Sequence, residues 1–206
     1  KDYGWGTISF DSQSAGHEAA KALADKGCKS IELISCLVHE WENEYRKAID
    51  SSNRPIRAGM ANALRPLGIR APECWLTKDM LPKDKQPASD WAMNTPDAGE
   101  VLCKILFQQK KADGIVVYTD ILAAGVLKAL KDMGLKLGRD VQVVVLGNKE
   151  INYPWPPEVI RIDISIRESA KSLIALALAA EHHDAPKEFY LQYKLNNKAT
   201  LETSNA

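Results

Sequence analysis

Two stretches of this chain are apolar except for Thr119 at the end of the first and Gln142 near the start of the second. Gly114-Ile115-Val116-Val117-Tyr118-Thr119 and Val141 to Leu146 both lack the polar alternation that a strand with one wet face requires. Between them, Ile121 to Met133 carries Leu122, Val126, Leu127 and Leu130 at helical spacing and stops at Gly134. Strands apolar on both faces, alternating with amphipathic helices, predict a parallel sheet covered on both sides. The right-handed crossover rule makes a doubly wound sheet its natural closure, so the expected class is α/β.

The rest of the chain repeats the alternation. Residues 6–10 read as a strand and 15–26 as a helix stopped by Gly27, and 31–36 form an apolar strand. A charged segment over 38–49, with Trp41 and Tyr45 four apart, reads as helical. A further helix is expected over 55–67, with Pro55 in its first turn and Gly68 at its end. Pro72 to Pro96 holds four prolines and reads mainly as loop, with a strand near 74–76. Thr95-Pro96-Asp97 is a helix start, and the helix runs to about Lys111. After the loop Pro154 to Pro157 come a strand at 159–164 and the helix from Ile166. Ser165 and Glu168 are placed to form its capping box. Phe189, Leu191 and Tyr193 alternate with polar neighbours, as an edge strand does.

With 206 residues, the chain is long enough to bury roughly 70% of its unfolded surface without staples. Lys plus Arg and Asp plus Glu are both 27, so the charge excess of an autonomous nucleic-acid binder is absent. No apolar run approaches a membrane span. Cys28, Cys36, Cys74 and Cys103 lie far apart and read as buried thiols of a reducing compartment, not as a zinc or redox site. Gly4-Trp5-Gly6 lacks the third glycine of a dinucleotide turn, and no phosphate loop, nucleophile elbow or zinc motif is present. His17, His39, His182 and His183 sit among charged neighbours or at a helix end. These residues give no support to catalysis, to a cofactor or to a metal.

Binding fares better. Parallel sheets take ligands outside the carboxyl ends of their strands. There the sequence places Asp11, Thr119-Asp120, Gly147-Asn148 and Asp163, with Trp75, Trp91 and Trp155 in neighbouring loops. Carboxylates and amides can hold paired hydroxyls, and an indole can cover the apolar face of a sugar ring. Each residue has a plainer use as well. Asp120 is equally suited to cap the helix it precedes, Asn148 is an ordinary turn residue, and a lone Trp is a packing anchor.

The stretch Thr119-Asp120-Ile121-Leu122-Ala123-Ala124-Gly125-Val126-Leu127-Lys128-Ala129-Leu130 is followed by Met133-Gly134-Leu135 and Gly138-Arg139-Asp140-Val141. Together they resemble the effector domain of the LacI/GalR (lactose-repressor/galactose-repressor) transcription regulators. Gly59-Met60, Ala63-Leu64, Gly68-Ile69, the helix from Ala15 to Gly27 and Pro156-Pro157 before the 159–164 strand extend the likeness across most of residues 6–200. The resemblance implies a periplasmic-binding-protein-like fold of type I, represented mostly by its C-terminal lobe. Residues 11–163 would form that lobe. Residues 1–10 and 164–185 would be remnants of the N-terminal lobe and hinge, and 186–206 a terminal strand and tail.

It also implies a function. The chain would be the ligand-sensing part of a cytoplasmic, homodimeric regulator, not an enzyme, with no cofactor and no membrane association. It would bind a small-molecule effector, a carbohydrate by resemblance, and touch DNA only through a helix-turn-helix not present in this chain. The implied effector residues are Asp120, Asn148, Arg54, Arg57, Trp91, Trp75 and Asp163. Several depart from the family pattern. The usual effector arginine falls at Ile56, with Arg57 beside it and Arg54 two before; Asn148 stands where a carboxylate is common, and Asp163 where Gln is common. The segment over 38–49 is longer than the family's loop. With the N-terminal lobe largely absent, the helix from Ile166 would expose an apolar face, with Leu173 and Leu176 expected under a partner subunit or a crystal neighbour. Rival readings are a secreted solute-binding protein of the same architecture, an enzyme on a doubly wound sheet, and an interaction module without a ligand.

Overall fold

The two apolar segments lie side by side and run parallel, Ile115 opposite Val143 and Val117 opposite Val145. A computed structural model describes residues 7–35, 46–72, 83, 94–181 and 188–196. Its elements are β1 (Thr7–Phe10), α1 (Ser12–Asp25), β2 (Ile31–Ser35), α2 (Arg46–Leu64) with a 3-10 turn at Arg65–Leu67, α3 (Pro96–Gln109), β3 (Gly114–Tyr118) and α4 (Asp120–Asp132). They continue with β4 (Gln142–Asn148), β5 (Ile160–Ile164), α5 (Ile166–Glu181), β6 (Glu188–Leu191) and β7 (Lys194–Leu195). The main sheet has the order β2-β3-β4-β5-β7. Its first four strands are parallel, and the short β7 pairs antiparallel with β5 at the edge. β1 and β6 form a separate parallel pair.

Alternation of side chains across the sheet supplies two cores. Ile115, Val117, Val143 and Val145 pack with α3 and α4 through Leu102, Leu106, Leu122 and Val126. Val116, Val144 and Leu146 face the other way, against Leu23 of α1 and Ile56 and Met60 of α2. The sheet is therefore doubly wound, as its sequence predicts, because every second side chain of a strand serves a different helix layer. Gly27 and Gly134, at φ 89° and 72°, follow α1 and α4 where the sequence puts their stops. Thr95 accepts a hydrogen bond from the Ala98 amide, so the expected start of α3 is also in place.

Glycines set how closely the helices approach. A Cβ on Gly59 would lie 1.9 Å from the Gln13 carbonyl oxygen, and one on Gly16 would lie 2.1 Å from that of Ile56. The α3–α4 crossing repeats the device: a Cβ on Gly99 would meet the Leu122 oxygen at 2.1 Å, and one on Gly125 the Pro96 oxygen at 1.7 Å.

Three expectations need correction. Pro55 lies inside α2, which begins at Arg46 and not at residue 55. Proline removes one intrahelical donor, yet Asn53, Ile56, Met60 and Leu64 are buried at helical spacing around it. The packed face outweighs the missing bond. The single edge strand expected over 189–193 is divided: Glu188–Leu191 pairs with β1, and Lys194–Leu195 joins the main sheet. The capping box of α5 is half formed. The Glu168 amide donates to Ser165 Oγ at 3.2 Å, but the Glu168 carboxylate pairs with Lys171. Trp41, Cys36, Cys74 and the strand expected near 74–76 lie outside the described residues.

Cys28 and Cys103 are buried free thiols, raised by burial to about 11 and about 12. On α5, Leu173 is 58% exposed and Leu176 half-buried, with Ile166, Ile174 and Leu178 also exposed. In this chain that apolar face is open where the sequence reading expects a cover. No helix among the described residues is long and apolar enough to cross a membrane.

Candidate functional site

The carboxyl ends of β3, β4 and β5 meet at one rim. Helix α4 starts there at Asp120, with Thr119 in the cap position but making no side-chain cap bond. Thr119 Oγ1 instead donates to Asn94 Oδ1 at 2.7 Å. The Asp120 carboxylate reaches across to the neighbouring strand: Oδ2 accepts the Asn148 amide at 2.7 Å, tying the start of α4 to the end of β4. Gly147 makes room for it, since a Cβ there would sit 2.1 Å from Asp120 Oδ1.

A residue that sequence reasoning passed over organises the rim. Arg161 is 6% exposed and lies between two carboxylates. Its Nε donates to Asp163 Oδ1 at 2.9 Å, and its Nη2 pairs with the same oxygen. Nη2 also donates to the Asn148 carbonyl at 3.1 Å and forms an ion pair with Asp120 Oδ1 at 2.9 Å. That last contact lacks hydrogen-bond alignment, so Oδ1 has a Coulombic partner but no donor. The guanidinium carbon stands 4.2 Å from the centre of the Trp155 ring, which contacts Tyr153 in turn. Arg161 Nη1 and Trp155 Nε1 are buried without a hydrogen-bond partner. The spacing Arg161-x-Asp163 was the available signal, because residues two apart on a strand share a face.

Two carboxylates and one guanidinium leave the cluster with one formal negative charge. Burial raises the Asp120 pKa, Arg161 opposes the rise, and neighbouring Asp163 adds to it. Asp163 Oδ2 accepts from Asn196 Nδ2 at 3.0 Å, which anchors the returning chain after β7 to β5. Tyr193 is also held against this region, its hydroxyl pKa raised chiefly by burial with Tyr118 nearby. Both acids are thus committed to Arg161. The polar side chains beside them are engaged within the chain, Asn148 Oδ1 accepting the Glu150 amide and Asn94 Oδ1 the Thr119 hydroxyl, and each keeps its amide nitrogen as a donor.

Of the expected effector residues, Asp120, Asn148 and Asp163 come together at this rim. Arg54 and Arg57 belong to a different helix. They stand on α2, in the layer on the opposite face of the sheet from α4, Arg54 exposed and Arg57 half-buried. Trp75 and Trp91 lie outside the described residues. Asp11, at the end of β1, accepts the Ser14 amide at 3.0 Å and caps α1. Among the described residues no cluster of His, Cys, Asp and Glu could hold a metal ion.

Comparison with known proteins gives a consistent result. A family model described as a periplasmic binding protein-like domain matches residues 6–200. Catabolite control protein A of Priestia megaterium is 24% identical over 157 residues, covering 76% of this chain and 41% of that protein. The HTH-type transcriptional regulator GalS of Salmonella typhimurium is 25% identical over 174 residues, covering 83% and 44%. The chain therefore spans less than half the length of these curated relatives. GalS is a transcriptional regulator by name, the class of protein that the sequence leads one to expect. Among solved structures, transcription regulator CcpA of Lactococcus lactis superposes with a TM-score of 0.70 at 18% identity, over 93% of this chain and 62% of that one. A LacI family transcriptional regulator from Enterococcus faecium, solved with bound ribose, gives 0.67 at 18% identity over 93% and 63%. At such identities the structural likeness speaks for the fold alone. The matching family model, the curated relatives and the doubly wound sheet agree: the chain belongs to the periplasmic binding protein-like domain family, and its relatives there are LacI/GalR-type transcription regulators.

Proposed function

We propose that this chain is the effector-sensing part of a LacI-type transcription regulator and that its ligand is a carbohydrate held at the strand-tip rim. The observation that carries this reading is the convergence of Asn148, Asp120 and Asp163 at the carboxyl ends of parallel strands, where open α/β sheets take ligands. Asn148 supplies both a donor and an acceptor to neighbouring hydroxyls. Asp120 and Asp163 act by holding Arg161 and Asn148 in place, with Trp75 or Trp91 covering the sugar ring and Arg54 or Arg57 reaching it from α2. Support for the ligand class comes from structural neighbours solved with ribose, with lactose and as a cellobiose complex.

In the complete protein the effector favours one arrangement over another by differential affinity, and a homodimer passes that preference to DNA-binding heads elsewhere in the polypeptide. The setting of such a protein is the cytoplasm. The test is calorimetry of the complete regulator against pentoses, hexoses and disaccharides. A binder whose affinity drops at least about tenfold in Asn148→Ala supports the reading, as expected for a lost hydrogen bond in a desolvated site. Silence across the panel overturns the carbohydrate assignment.

A further inference from the structure

The turn that follows β4 does more than end a strand. Asn148 Oδ1 accepts the amide of Glu150 at 3.0 Å, folding residues 148–150 into a tight turn. The Lys149 amide donates to the Ile164 carbonyl at 2.8 Å and pins the turn to the end of β5. From this position Glu150 reaches the next segment. Its Oε2 accepts the Ile166 amide at 2.9 Å, and its Oε1 accepts the Ser165 hydroxyl. Ser165 Oγ in turn accepts the Glu168 amide at 3.2 Å. The free amides at the start of α5 are therefore satisfied, directly and through one hydroxyl, by a carboxylate from another part of the chain, where negative charge also suits the helix dipole. Those contacts hold the Glu150 carboxyl below its ordinary pKa, the Ser165 hydroxyl being the largest cause.

Asn148 and α5 do not touch through these bonds, yet Asn148 fixes the backbone of the residue that caps α5. We propose that the 148–150 turn is a relay: a ligand that takes the Asn148 side chain frees the Glu150 amide and loosens the carboxylate cap on α5. This rests on the reading of Asn148 as an effector contact. The chemistry is that of one planar amide with two uses. To offer Oδ1 and Nδ2 together to a pair of vicinal hydroxyls, the side chain rotates out of the geometry in which Oδ1 serves the Glu150 amide. Occupancy at the rim is then read as fraying of the first turn of α5, the helix that carries the exposed Leu173, Ile174 and Leu178.

The relay is testable without any ligand, because Asn148→Ala removes the same acceptor. The measurement is amide hydrogen exchange on the full 206-residue chain. Asn148→Ala and Glu150→Ala should each accelerate exchange at Ile166 and Glu168 by about fivefold, the factor that loss of an ordinary helix cap carries. The double variant should go no faster than Glu150→Ala alone. Asn148→Asp, which keeps the acceptor, should stay near the wild-type rate, and the core amides of Val116 and Val144 should not change. The relay is overturned if Asn148→Ala leaves Ile166 and Glu168 at wild-type rates, if Asn148→Asp matches Asn148→Ala, or if Val144 accelerates equally. Because no sugar enters the experiment, its failure leaves the carbohydrate reading standing, and a silent sugar panel leaves the coupling of Asn148 to α5 standing.

Discussion

At the scale of single residues, Arg161 governs the most. Removing one member of a buried ion cluster strands the others, at a cost of about 3–5 kcal/mol. Arg161→Met should lower the urea unfolding free energy by about that amount, since Asp120 and Asp163 are then buried as uncompensated carboxylates. Adding Asp120→Asn and Asp163→Asn should recover most of the loss, because amides carry no charge to strand. If the triple variant is no more stable than the single one, Arg161 contributes through its packing on Trp155 and not through charge. Gly147 belongs to the same arrangement: it is small because a carboxylate occupies the space its side chain would need. None of this was readable from one residue at a time. Asp163 looks like a free ligand in the sequence, and Asp120 like a helix cap; only the pairing across three strand ends shows that both serve an arginine.

At the scale of elements, the helix pairs depend on glycine. Gly59→Ala should destabilise the fold by at least about 3 kcal/mol, the upper range for overpacking, because its Cβ would meet backbone that has no rotamer to yield. Thermal or urea unfolding measures this, and a near-neutral effect would mean that α1 and α2 slide apart freely. The α3–α4 pair also carries a surface link. Glu100 on α3 bonds Lys104 on its own helix and Lys128 on α4, and these hold its carboxyl down at about 2. A depressed carboxyl stabilises the fold fully above its unfolded pKa of 4.5, and that contribution fades as pH falls toward about 2. The melting temperature should therefore drop across that interval, and Glu100→Gln should flatten the part of the slope due to this group. The link is solvent-accessible, so salt should weaken it.

Elements were the most legible level of this sequence. The apolar strands, Thr95-Pro96 and the stops at Gly27 and Gly134 report local physics, which needs no knowledge of distant neighbours. Pro55 misleads for the opposite reason: its local preference is overruled by the apolar face that α2 buries against α1. The division of residues 188–195 between two sheets was equally hidden, since alternation marks an edge strand without saying which partner it pairs with.

Considered as a whole molecule, the chain holds one robust sheet and one slight one. The main sheet is packed on both faces, while β1 and β6 form a ribbon of two strands, an arrangement that is marginal by itself. Amides of the ribbon, such as Ser9 and Leu191, should exchange with solvent well ahead of Val144 in the main sheet. Equal protection would mean that the ribbon and the main sheet open as one unit. The ribbon meets the main body where the Asp11 amide donates to the Leu191 carbonyl and where the Phe10 ring meets Tyr193 edge-on at 6.3 Å.

The four glycines at the helix crossings carry a consequence for anyone who would retune this protein. Where backbone is set against backbone, each helix pair behaves like two planks pinned at a point, with no side chain there to absorb a change of shape. New binding preferences therefore have to be written into the strand tips and the turns beyond them. If the effector sits at the rim as proposed, a library that varies positions 119, 148 and 150 explores what the molecule can recognise, whereas one that touches 16, 59, 99 or 125 mostly samples ways for it to come apart.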